Sequence, residues 1–486
     1  MHFIESVNRS QYTLMNKLDD LVDDRHYVRL IDCFIDCFMQ NHQNLFLRKG
    51  KNSIGRKAYP PSSLLKLYVY SYLNGISSSR KIEKECQRNI EMIWLMGYLV
   101  PDHKTIADFR RENATGINQV FVELVKLLKE SGYIHGKTIS IDGTKIRANA
   151  SMIIDLDSIS KKLENIDEQL LKYLNRFELV DSYDDEIEEK EQEKERLEKE
   201  IKKLEKEKQE LEIQKQQLHD QGVNKISPTD PECRMMKGRQ GLHLSYNFQA
   251  AVDAGNQMIV NIDVLSQQND KGQLMHMVNK IEDELNVIPE EVLADAGYYV
   301  LKQIEYLENE KGIDCYVAIN YNQQENKKRD LGIHFAYESE QNIYRCSQGQ
   351  TLRPKYGLKK DSRRHTLSQA YVGINCSQCR IKEGCTRSKA RVIYRYTNQD
   401  WRDTYEEKMK SITGKTKLVE RMMLSEHPFG TIKYWMGYIP LKTRGKDKVK
   451  TEINLYATAY NLKRLINLNG FDKVMKLLSA KKRKAA

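Results

Sequence analysis

The chain has 486 residues, of which 40% are hydrophobic, so it can bury a large core and is long enough for about two to four domains. The N-terminal stretch lacks a basic segment followed by an apolar run, and no window reaches the roughly 18 apolar residues of a membrane helix. These features exclude a membrane-spanning protein and predict a soluble, intracellular one.

The net charge of +11 is concentrated towards the C-terminal end. Residues 411–486 contain 17 Lys and Arg against 5 Asp and Glu, a net +12, which leaves the preceding residues nearly neutral. A basic segment of this kind fits contact with a polyanion, most commonly a phosphate backbone. The closing KKRK, taken alone, fits a solvated tail equally well.

Residues 1–135 have the apolar spacing of helices, in LVDDRHYVRLIDCFIDCF and again in SSLLKLYVYSYL. Pro60 and Pro61 are expected to start the second of these helices and Gly75 to end it. The pattern predicts a compact helical domain.

Basic residues lie near the starts of the helices that follow. The serines at 77–79 are expected to cap a helix that carries Arg80 and Lys81, and the segment IADFRREN presents Arg110 and Arg111. We predict a helix-turn-helix-like DNA-binding domain with these four cations as phosphate contacts. Many all-helical domains share the pattern, so it predicts DNA binding only weakly.

From Lys137 the apolar period becomes that of a strand. The segment KTISIDGTKI places Ile139 and Ile141 on one face and Asp142 on the other, where we expect the strand to end. Residues 155–222 are rich in Glu, Lys, Gln and Leu and carry two apolar stripes separated by VDSYDD. They predict an inserted antiparallel helical hairpin or coiled coil, with spacer, dimerisation arm and DNA clamp all open as its role.

Strands resume at LSYNFQAAVD and MIVNIDVLS, joined by a hairpin turn at Ala254-Gly255-Asn256. A helix, the buried strand EEVLAD, a second helix and the strand DCYVAI follow. Without the helical hairpin, the order up to Ile319 is strand, strand, strand, helix, strand, helix, strand. This is the order of an RNase H-like domain, so we predict an α+β or α/β fold class; the order by itself gives no function.

Three acidic residues are candidates for a magnesium site: Asp142, Asp295 after the strand EVLAD, and Glu426 at the expected entry to a helix. Mg²⁺ takes hard oxygen ligands, usually a few carboxylates together with substrate phosphates. Ligands bind at the carboxyl ends of strands in open α/β sheets. Each residue alone also fits a turn or a helix cap, but together, in this strand order, they favour two-metal-ion phosphoryl transfer.

Two cations flank Glu426. Lys433 follows it by seven residues, two helical turns on and therefore on the same face, and Arg421 precedes it by five. Both are candidates for binding DNA phosphates beside the ions. The alternative is ordinary surface charge in a basic region.

Four of the nine cysteines lie within forty residues of one another and form a candidate zinc site. The C-x2-C pair is the specific part, although the C-x5-C arm is longer than usual. Free thiols are the alternative, and the other five cysteines are expected to be buried thiols. The predicted ligands are Cys346, Cys376, Cys379 and Cys385.

A family resemblance is visible in six segments that run in order over nearly the whole chain: YPPSSLLKLYVYSYLNGISSSRKIEKE, VPDHKTIADFRREN, SIDGTKIRANAS, SPTDPECRMMKG, ADAGYY and EHPFGTIKYWMGY. They resemble the DDE transposases of bacterial insertion sequences, and look closest to the group numbered eleven eighty-two. In that family two aspartates and a late glutamate are the metal ligands, which implies this role for Asp142, Asp295 and Glu426. Related transposases also carry a Tyr, Arg, Glu, Lys signature around the last acid. Lys433 fits it, but Met422 stands at the arginine position.

The resemblance implies a DNA transposase that binds the terminal inverted repeats of an element, hydrolyses the strands at its ends and joins the 3′ hydroxyls to target DNA. It implies two Mg²⁺ or Mn²⁺ ions, with Asp142 bridging them, and double-stranded DNA as the partner. We expect a homodimer or larger synaptic complex in the bacterial cytoplasm, associated with the nucleoid when bound to DNA, and no membrane partner.

Two other functions fit parts of the sequence. A stand-alone RNase H-like nuclease would need the acids but not the long N-terminal domain. A non-catalytic DNA-binding descendant of a transposase would not need all three acids, which are present here. The predicted domain order is a helical DNA-binding domain (1–135), the first strand of the catalytic domain (136–154), the helical hairpin (155–222), the rest of the catalytic domain (223–325), a cysteine-rich insertion (326–410), and the helix of the third acid with basic C-terminal helices (411–486).

Overall fold

The structure is a computed structural model in which the chain divides into two compact units. The first unit joins Met1–Pro289 to Leu424–Ala486, and the second is Glu290–Met423. The residues described are 17–46, 58–151, 153–182, 187–220, 222, 224–238, 241–320, 332–361, 366–436 and 441–485.

The described chain begins with a run of helices and continues with strands and helices in mixed order. The helices are α1 Tyr27–His42, α2 Pro61–Leu73, α3 Ser79–Arg88, α4 Ile90–Met96, α5 His103–Glu112, α6 Ala114–Glu130, α7 Leu156–Ser182, α8 Ile187–Asp220, α9 Gln273–Leu285, α10 Leu301–Asn309, α11 Lys382–Cys385, α12 Gln399–Lys410, α13 Ile412–Met436 and α14 Lys446–Ala485. The strands are β1 Thr138–Arg147, β2 Ile154–Asp155, β3 Lys225–Ile226, β4 Arg234–Gly238, β5 Gly241–Asp253, β6 Ile259–Leu265, β7 Glu291–Ala294, β8 Asp314–Val317, β9 Phe335–Glu338, β10 Ile343–Cys346, β11 Thr351–Asp361, β12 Thr366–Gly373 and β13 Val392–Tyr396. Of the helices described, none has both the length and the apolar character to cross a membrane.

The N-terminal helices form as their apolar spacing predicts. In α1 the buried side chains of Val28, Ile31, Ile35 and Phe38 recur every three or four residues, which places them on one face. Pro61 opens α2, where its missing N–H costs no helical hydrogen bond. The chain turns away after α2 at Gly75, whose φ of 70° suits glycine.

The long C-terminal helix α14 belongs to the same unit as these N-terminal helices. The rings of Tyr72 in α2 and Tyr456 in α14 lie 4.6 Å apart, and the thiol of Cys37 in α1 donates to the carbonyl of Leu478 at 3.4 Å. The segment of α14 from 451 to 462 is buried throughout. The helix is kinked at Gly470, whose φ of 72° and ψ of 170° are not helical.

A sheet of antiparallel strands lies in the first unit, where β5 pairs with β1, β4 and β6. In the register of β1 and β5, Asp142 faces Ala250 and Thr144 faces Phe248. The prediction that β1 ends at Asp142 is wrong, because its ladder with β5 continues to Arg147. The alternation of apolar residues in the sequence stops at Ile141, but backbone pairing does not depend on it.

The predicted hairpin between β5 and β6 is confirmed. Gly255 N–H donates to the Asp253 carboxylate at 3.0 Å, and Asp253 N–H donates to the carbonyl of Met258 at 2.9 Å, which closes the turn. The order from β1 to β8, without the two long helices, includes the predicted strand, strand, strand, helix, strand, helix, strand. The chain is thus a mixed helix and sheet protein; the RNase H-like fold stays a prediction.

The two long helices α7 and α8 belong to the first unit. The antiparallel strand pair β2–β3, in which Ile154 faces Ile226, connects them to its other elements. The apolar stripes of the sequence pack against each other, as a buried cluster that contains Ile159, Ile166, Leu204, Leu211, Leu218 and Ile226. An ion pair of 2.7 Å between Lys208 and Asp167 also links the two helices.

In the second unit, β7 and β8 are parallel neighbours and a separate five-stranded antiparallel sheet has the order β13-β12-β11-β10-β9. Tyr344, Leu352 and Tyr371 form the core of this sheet. The cysteine-rich segment therefore contains a sheet of its own, which was not predicted because apolar and polar residues alternate only weakly along its strands.

Candidate active site and nucleic-acid interface

Asp142 lies in the middle of β1 and is half-buried. Its Oδ1 accepts a hydrogen bond from the N–H of Gly143 at 2.7 Å. A carboxylate on a strand is held by the backbone ladder, here that of β1 with β5, so its position is fixed more firmly than in a loop.

One face of the β1–β5 ladder carries Asp142. Directly paired residues and residues two apart along a strand share a face, so Thr144, Phe248 and Ala250 lie on the same face as Asp142. We call this the Asp142 face.

The second half of α13 packs on the Asp142 face. The ring of Phe429 meets that of Phe248 edge-on, with centroids 5.5 Å apart. Lys433, one turn further along the helix, donates a hydrogen bond from Nζ to Oγ1 of Thr144. The side chain of Lys433 thus contacts β1 at the residue two positions after Asp142.

Glu426 lies on the same side of α13 as Phe429 and Lys433, because residues three, four and seven apart share a helix face. The chain after α13 returns to the far end of β1, where Leu441 N–H donates to the carbonyl of Arg147 at 3.3 Å. The second half of α13 therefore runs along β1 towards Arg147, and Glu426 lies seven residues before the contact of Lys433 with Thr144.

The expectation that Glu426 stands at a helix entry is wrong. α13 begins at Ile412, so Glu426 is in its interior and cannot be an N-cap. The helix continues through Pro428. The Glu426 side chain is exposed.

Arg421 is half-buried in the same helix, five residues before Glu426. Five residues rotate a side chain by about 140° around the helix axis, so Arg421 does not share the face of Glu426 and Lys433. Met422, four residues before Glu426, does share it. The role of Arg421 as a DNA phosphate contact stays a prediction.

Asp295 follows β7 directly in the second unit, as predicted. It caps a short 3-10 turn at Ala296–Tyr298, and its carboxylate accepts from Gly297 N–H at 2.8 Å. The side chain is half-buried. Because β7 is followed at once by this turn, Asp295 stands at the carboxyl end of a strand.

Across the described residues, no group of three or more His, Cys, Asp or Glu side chains is arranged to hold a metal ion by itself. The oxygen donors on the Asp142 face nevertheless have the chemistry that Mg²⁺ requires. Mg²⁺ is commonly held by one or two carboxylates together with substrate phosphates, rather than by a cage made only of protein. Asp142 and Glu426 are suitable ligands of that type.

The first turn of α3 exposes Arg80 and Lys81, as predicted. The expected serine cap is absent: Ser78 is the N-cap residue, but its side chain makes no capping hydrogen bond. The next helix with basic residues, α5, is capped instead by Asp102, which accepts from the N–H groups of Lys104 and Thr105.

Arg110 and Arg111 do not fit their predicted role as phosphate contacts. Arg110 is only 8% exposed and donates to the hydroxyl of Tyr72 at 2.7 Å, so it belongs to the core. Arg111 is exposed but forms ion pairs with Asp108 at 2.8 Å and Glu112 at 3.2 Å. The sequence shows their charge but not these partners.

A basic segment within the positively charged C-terminal region, which we call the basic loop, comprises residues 441–445 and the first residues of α14, 446–448. Arg444, Lys446 and Lys448 are exposed in it, and within the described residues no ion pair involves them. Arg147 is exposed at the end of β1, where the backbone of the loop begins. Five alternating cations in LKTRGKDKVK are the sequence signal that could have identified it.

Acidic side chains accept hydrogen bonds from the backbone of this loop and, among the described residues, do not form ion pairs with its exposed cations. Glu452, 1% exposed, accepts from the N–H groups of Lys442 and Thr443 at 3.0 to 3.1 Å. Asp230 accepts from Gly445 N–H at 3.1 Å, and Glu232 from Lys446 N–H at 2.7 Å. The loop is therefore rigid while its cations stay exposed.

The basic loop lies close to the cationic start of α3. Burial, together with the nearby charges of Lys81 and Arg110, lowers the pKa of Lys442, whereas Glu452 acts in the opposite direction. Lys81 and the loop are thus near enough to interact electrostatically. They form one basic surface in the first unit.

The four clustered cysteines line one cavity of about 20 Å³ in the second unit. That volume holds little more than one water-sized sphere. The N–H of Gln350 donates to Sγ of Cys346 at 3.3 Å. None of the nine cysteines is in a disulfide; Cys33 is half-buried and the other four predicted buried thiols are buried.

Comparison with protein families gives two matches. Residues 16–112 match the family described as Transposase domain (DUF772), and residues 345–466 match the Transposase DDE domain. The first match spans α1 to α5, and the second contains Glu426, Lys433 and the four cysteines; Asp142 and Asp295 lie outside both. No curated protein and no solved structure matches the chain.

Both matches are to transposase domains, and together they indicate that the protein is a transposase. The C-terminal match is to the DDE type. The chain is, more particularly, a DDE transposase of the insertion-sequence kind, as the sequence segments predicted. Such transposases act on DNA and generally use divalent metal ions such as Mg²⁺.

Proposed function

We propose that this transposase binds the terminal inverted repeats of its element as double-stranded DNA, hydrolyses strands at the element ends and joins the freed 3′ hydroxyls to target DNA. We propose an RNase H-like catalytic domain as the scaffold, with Asp142, Asp295 and Glu426 as the ligands of two Mg²⁺ or Mn²⁺ ions. The observation that supports this most is the packing of α13 on the Asp142 face.

That packing gives the residues of α13 complementary roles. In this proposal Glu426 adds a second carboxylate beside Asp142, and Lys433 adds a positive charge at Thr144. Asp295, at the end of β7, supplies the third carboxylate. When bound, divalent ions lower the pKa of the attacking water or hydroxyl and stabilise charge at phosphorus.

Lys433 has a role of its own in this proposal. An ammonium group beside the carboxylates attracts a DNA phosphate oxygen and keeps the scissile strand next to Asp142. Its contact with Thr144 orients the side chain before DNA arrives. A preoriented cation costs less entropy when the phosphate binds.

The basic surface supplies the rest of the DNA contact in the first unit. It is defined by Lys81, Arg147, Arg444, Lys446 and Lys448. Arg147 ends the strand that contains Asp142, so DNA bound on this surface continues from the site of cleavage. Cations of this kind contact phosphates and contribute affinity that does not depend on sequence.

The test uses the purified full-length protein, Mg²⁺ and DNA that carries the element ends. We expect cleavage and strand transfer by the wild type, and loss of both in Asp142→Ala and Glu426→Gln with DNA binding retained. Asp283→Asn, which changes an exposed acid on α9, is the matched control and should remain active. Unchanged cleavage in Asp142→Ala would contradict the proposal.

The same assay separates the two rival functions. A stand-alone nuclease yields hydrolysed ends but no joined products, and a non-catalytic descendant yields neither while still binding DNA. We also propose that the active form is a dimer or larger assembly, because the two element ends must be joined together. Light scattering of the protein with and without end DNA measures this directly.

We propose in addition that the four clustered cysteines hold a structural zinc ion. Their shared cavity and the N–H contact to Cys346 favour this proposal. In the described side-chain positions, no three of the thiols are arranged to hold a metal ion. Elemental analysis should find one zinc per chain in the wild type and none in the double variant Cys376→Ala/Cys379→Ala. Equal zinc content in both proteins would contradict it.

A further inference from the structure

The first unit contains an open cavity of about 480 Å³ between the second half of α13 and the middle of α14. Its lining includes His427, Tyr434, Trp435, Tyr460, Lys463 and Arg464. Among the described residues that line it, none is acidic. Aromatic rings together with cations suit a ligand that is planar and anionic.

The aromatic side chains of the cavity are available to a ligand. Tyr434 is 85% exposed, although it is a large aromatic residue on a helix that packs against a sheet. Lys463 holds its ammonium 5.0 Å from the ring centroid of Trp435, so a cation already lies beside an aromatic face. Proteins bind single-stranded nucleic acid with this combination, in which bases stack on rings and cations contact phosphates.

The polar groups of the cavity are held in fixed orientations. The Tyr460 hydroxyl donates to the carbonyl of Gln257 at 2.9 Å and lies 2.8 Å from Nδ1 of His427. Because that hydroxyl donates to Gln257, His427 must donate to it from Nδ1, which leaves Nε2 for another partner. Arg464 is itself fixed by a hydrogen bond from Nε to the carbonyl of Asn256.

The cavity adjoins the residues on the Asp142 face. His427 follows Glu426 in sequence and Tyr434 follows Lys433, so each is rotated by about 100° from its neighbour around α13. A strand that passes Glu426 and Lys433 therefore has the cavity beside it. Bases within a duplex are stacked and paired, and cannot enter such a cavity until they are unpaired.

We propose that this cavity binds one unpaired nucleotide of the DNA strand that lies at Glu426 and Lys433. The base stacks on Tyr434 and Trp435, and the adjoining phosphate contacts Lys463 and Arg464. His427 offers Nε2 to the base edge. This inference rests on the proposed function, since it assumes that DNA lies along α13.

The test compares two DNA probes in buffer without divalent ions, so that no strand is cut. One probe is a blunt duplex of arbitrary sequence, and the other is the same duplex with a short single-stranded overhang that contains 2-aminopurine. We expect the wild type to bind the overhang probe more tightly and to quench its fluorescence by stacking. Tyr434→Ala and Lys463→Gln should each weaken overhang binding by roughly tenfold and leave blunt-duplex binding nearly unchanged.

Tyr306→Ala is the matched control, because Tyr306 is a partly exposed helical tyrosine in the second unit. It should behave as the wild type on both probes. The inference is overturned if the wild type does not distinguish the probes, or if Tyr434→Ala loses affinity equally for both. These outcomes differ from a failure of the proposed function, in which Asp142→Ala still cleaves DNA whatever the cavity binds.

Discussion

Lys433 in α13 donates a hydrogen bond to Thr144 in β1, two residues beyond Asp142. These residues are far apart in sequence, so the contact fixes the position of α13 on the sheet. It connects the half of the chain that contains the first acid to the segment that contains the last one. The arrangement gives Lys433 a direct relation to the proposed chemistry.

Replacement of Lys433 by Met should reduce single-turnover DNA cleavage by on the order of 100-fold, because one preoriented charge at the phosphate is lost. Lys433→Arg should retain part of the rate, since it keeps the charge but changes the geometry. Lys473→Met, at an exposed position of α14, is the control. Equal rates for Lys433→Met and the control would exclude the proposed role.

The combined change of Arg444, Lys446 and Lys448 to Gln should weaken duplex binding and its dependence on salt. Each lost phosphate contact lowers the slope of log K against log salt by about 0.9. The affinity for a duplex of arbitrary sequence, measured at several KCl concentrations, gives the slope.

The control for that variant removes three exposed lysines from α7, at 161, 162 and 172. The same number of positive charges is lost, but away from the basic loop. If both variants lose affinity to the same extent, only net charge matters and the loop is not a specific contact.

Arg110→Met should destabilise the protein by about 3 kcal/mol. It removes a buried guanidinium that donates to the Tyr72 hydroxyl and lies near the carboxylate of Glu452. Urea unfolding measures this loss. Arg111→Met, which breaks only surface ion pairs, should cost less than about 1 kcal/mol. A loss of DNA affinity in Arg110→Met without a loss of stability would restore the phosphate role.

Asp263 in β6 should contribute stability that depends on pH. Burial alone would raise its pKa, but Lys280, His276 and Lys450 offset this and hold the pKa below its ordinary value of 3.8. The ionised form is therefore the stabilising one, present above pH 3.8 and lost as the pH falls through the lowered pKa.

Asp263→Asn should accordingly lower the free energy of unfolding by about 2 kcal/mol near neutral pH. The difference from the wild type should shrink as the pH falls below 3.8. Urea unfolding at a series of pH values measures it. A difference that does not change with pH would show that the charge of Asp263 does not stabilise the fold.

The secondary structure was largely predictable because it follows local patterns. Each signal acts within a few residues: the apolar spacing in α1 and the two long helices, the prolines at the start of α2, and the turn at Gly255. The five-stranded sheet of the second unit was not predicted, because apolar and polar residues alternate only weakly along its strands. The extent of β1 beyond Asp142 was also missed, since backbone pairing continued where the apolar pattern stopped.

The candidate site was predictable in composition but not in geometry. The acids and Lys433 could be identified by residue type and order, whereas the contact of Lys433 with Thr144 depends on tertiary packing. Charge alone misplaced Arg110, because a buried arginine beside Tyr72 looks the same in sequence as an exposed one. The basic loop was overlooked because the sequence does not show that acids such as Glu452 accept hydrogen bonds from its backbone while its cations are exposed.

The most direct test of the central claim, that Asp142 and Glu426 bind catalytic metal ions, is metal rescue. Asp142→Cys and Glu426→Cys replace hard oxygen ligands with a soft thiolate, which Mg²⁺ binds poorly and softer divalent ions bind better. With Mg²⁺ we expect each variant to lose cleavage of element-end DNA by on the order of 100-fold or more, since a bound ion supplies several kcal/mol. With Mn²⁺ we expect much of the activity to return, and Asp283→Cys to resemble the wild type with either ion. Full activity of Asp142→Cys with Mg²⁺ would contradict the account.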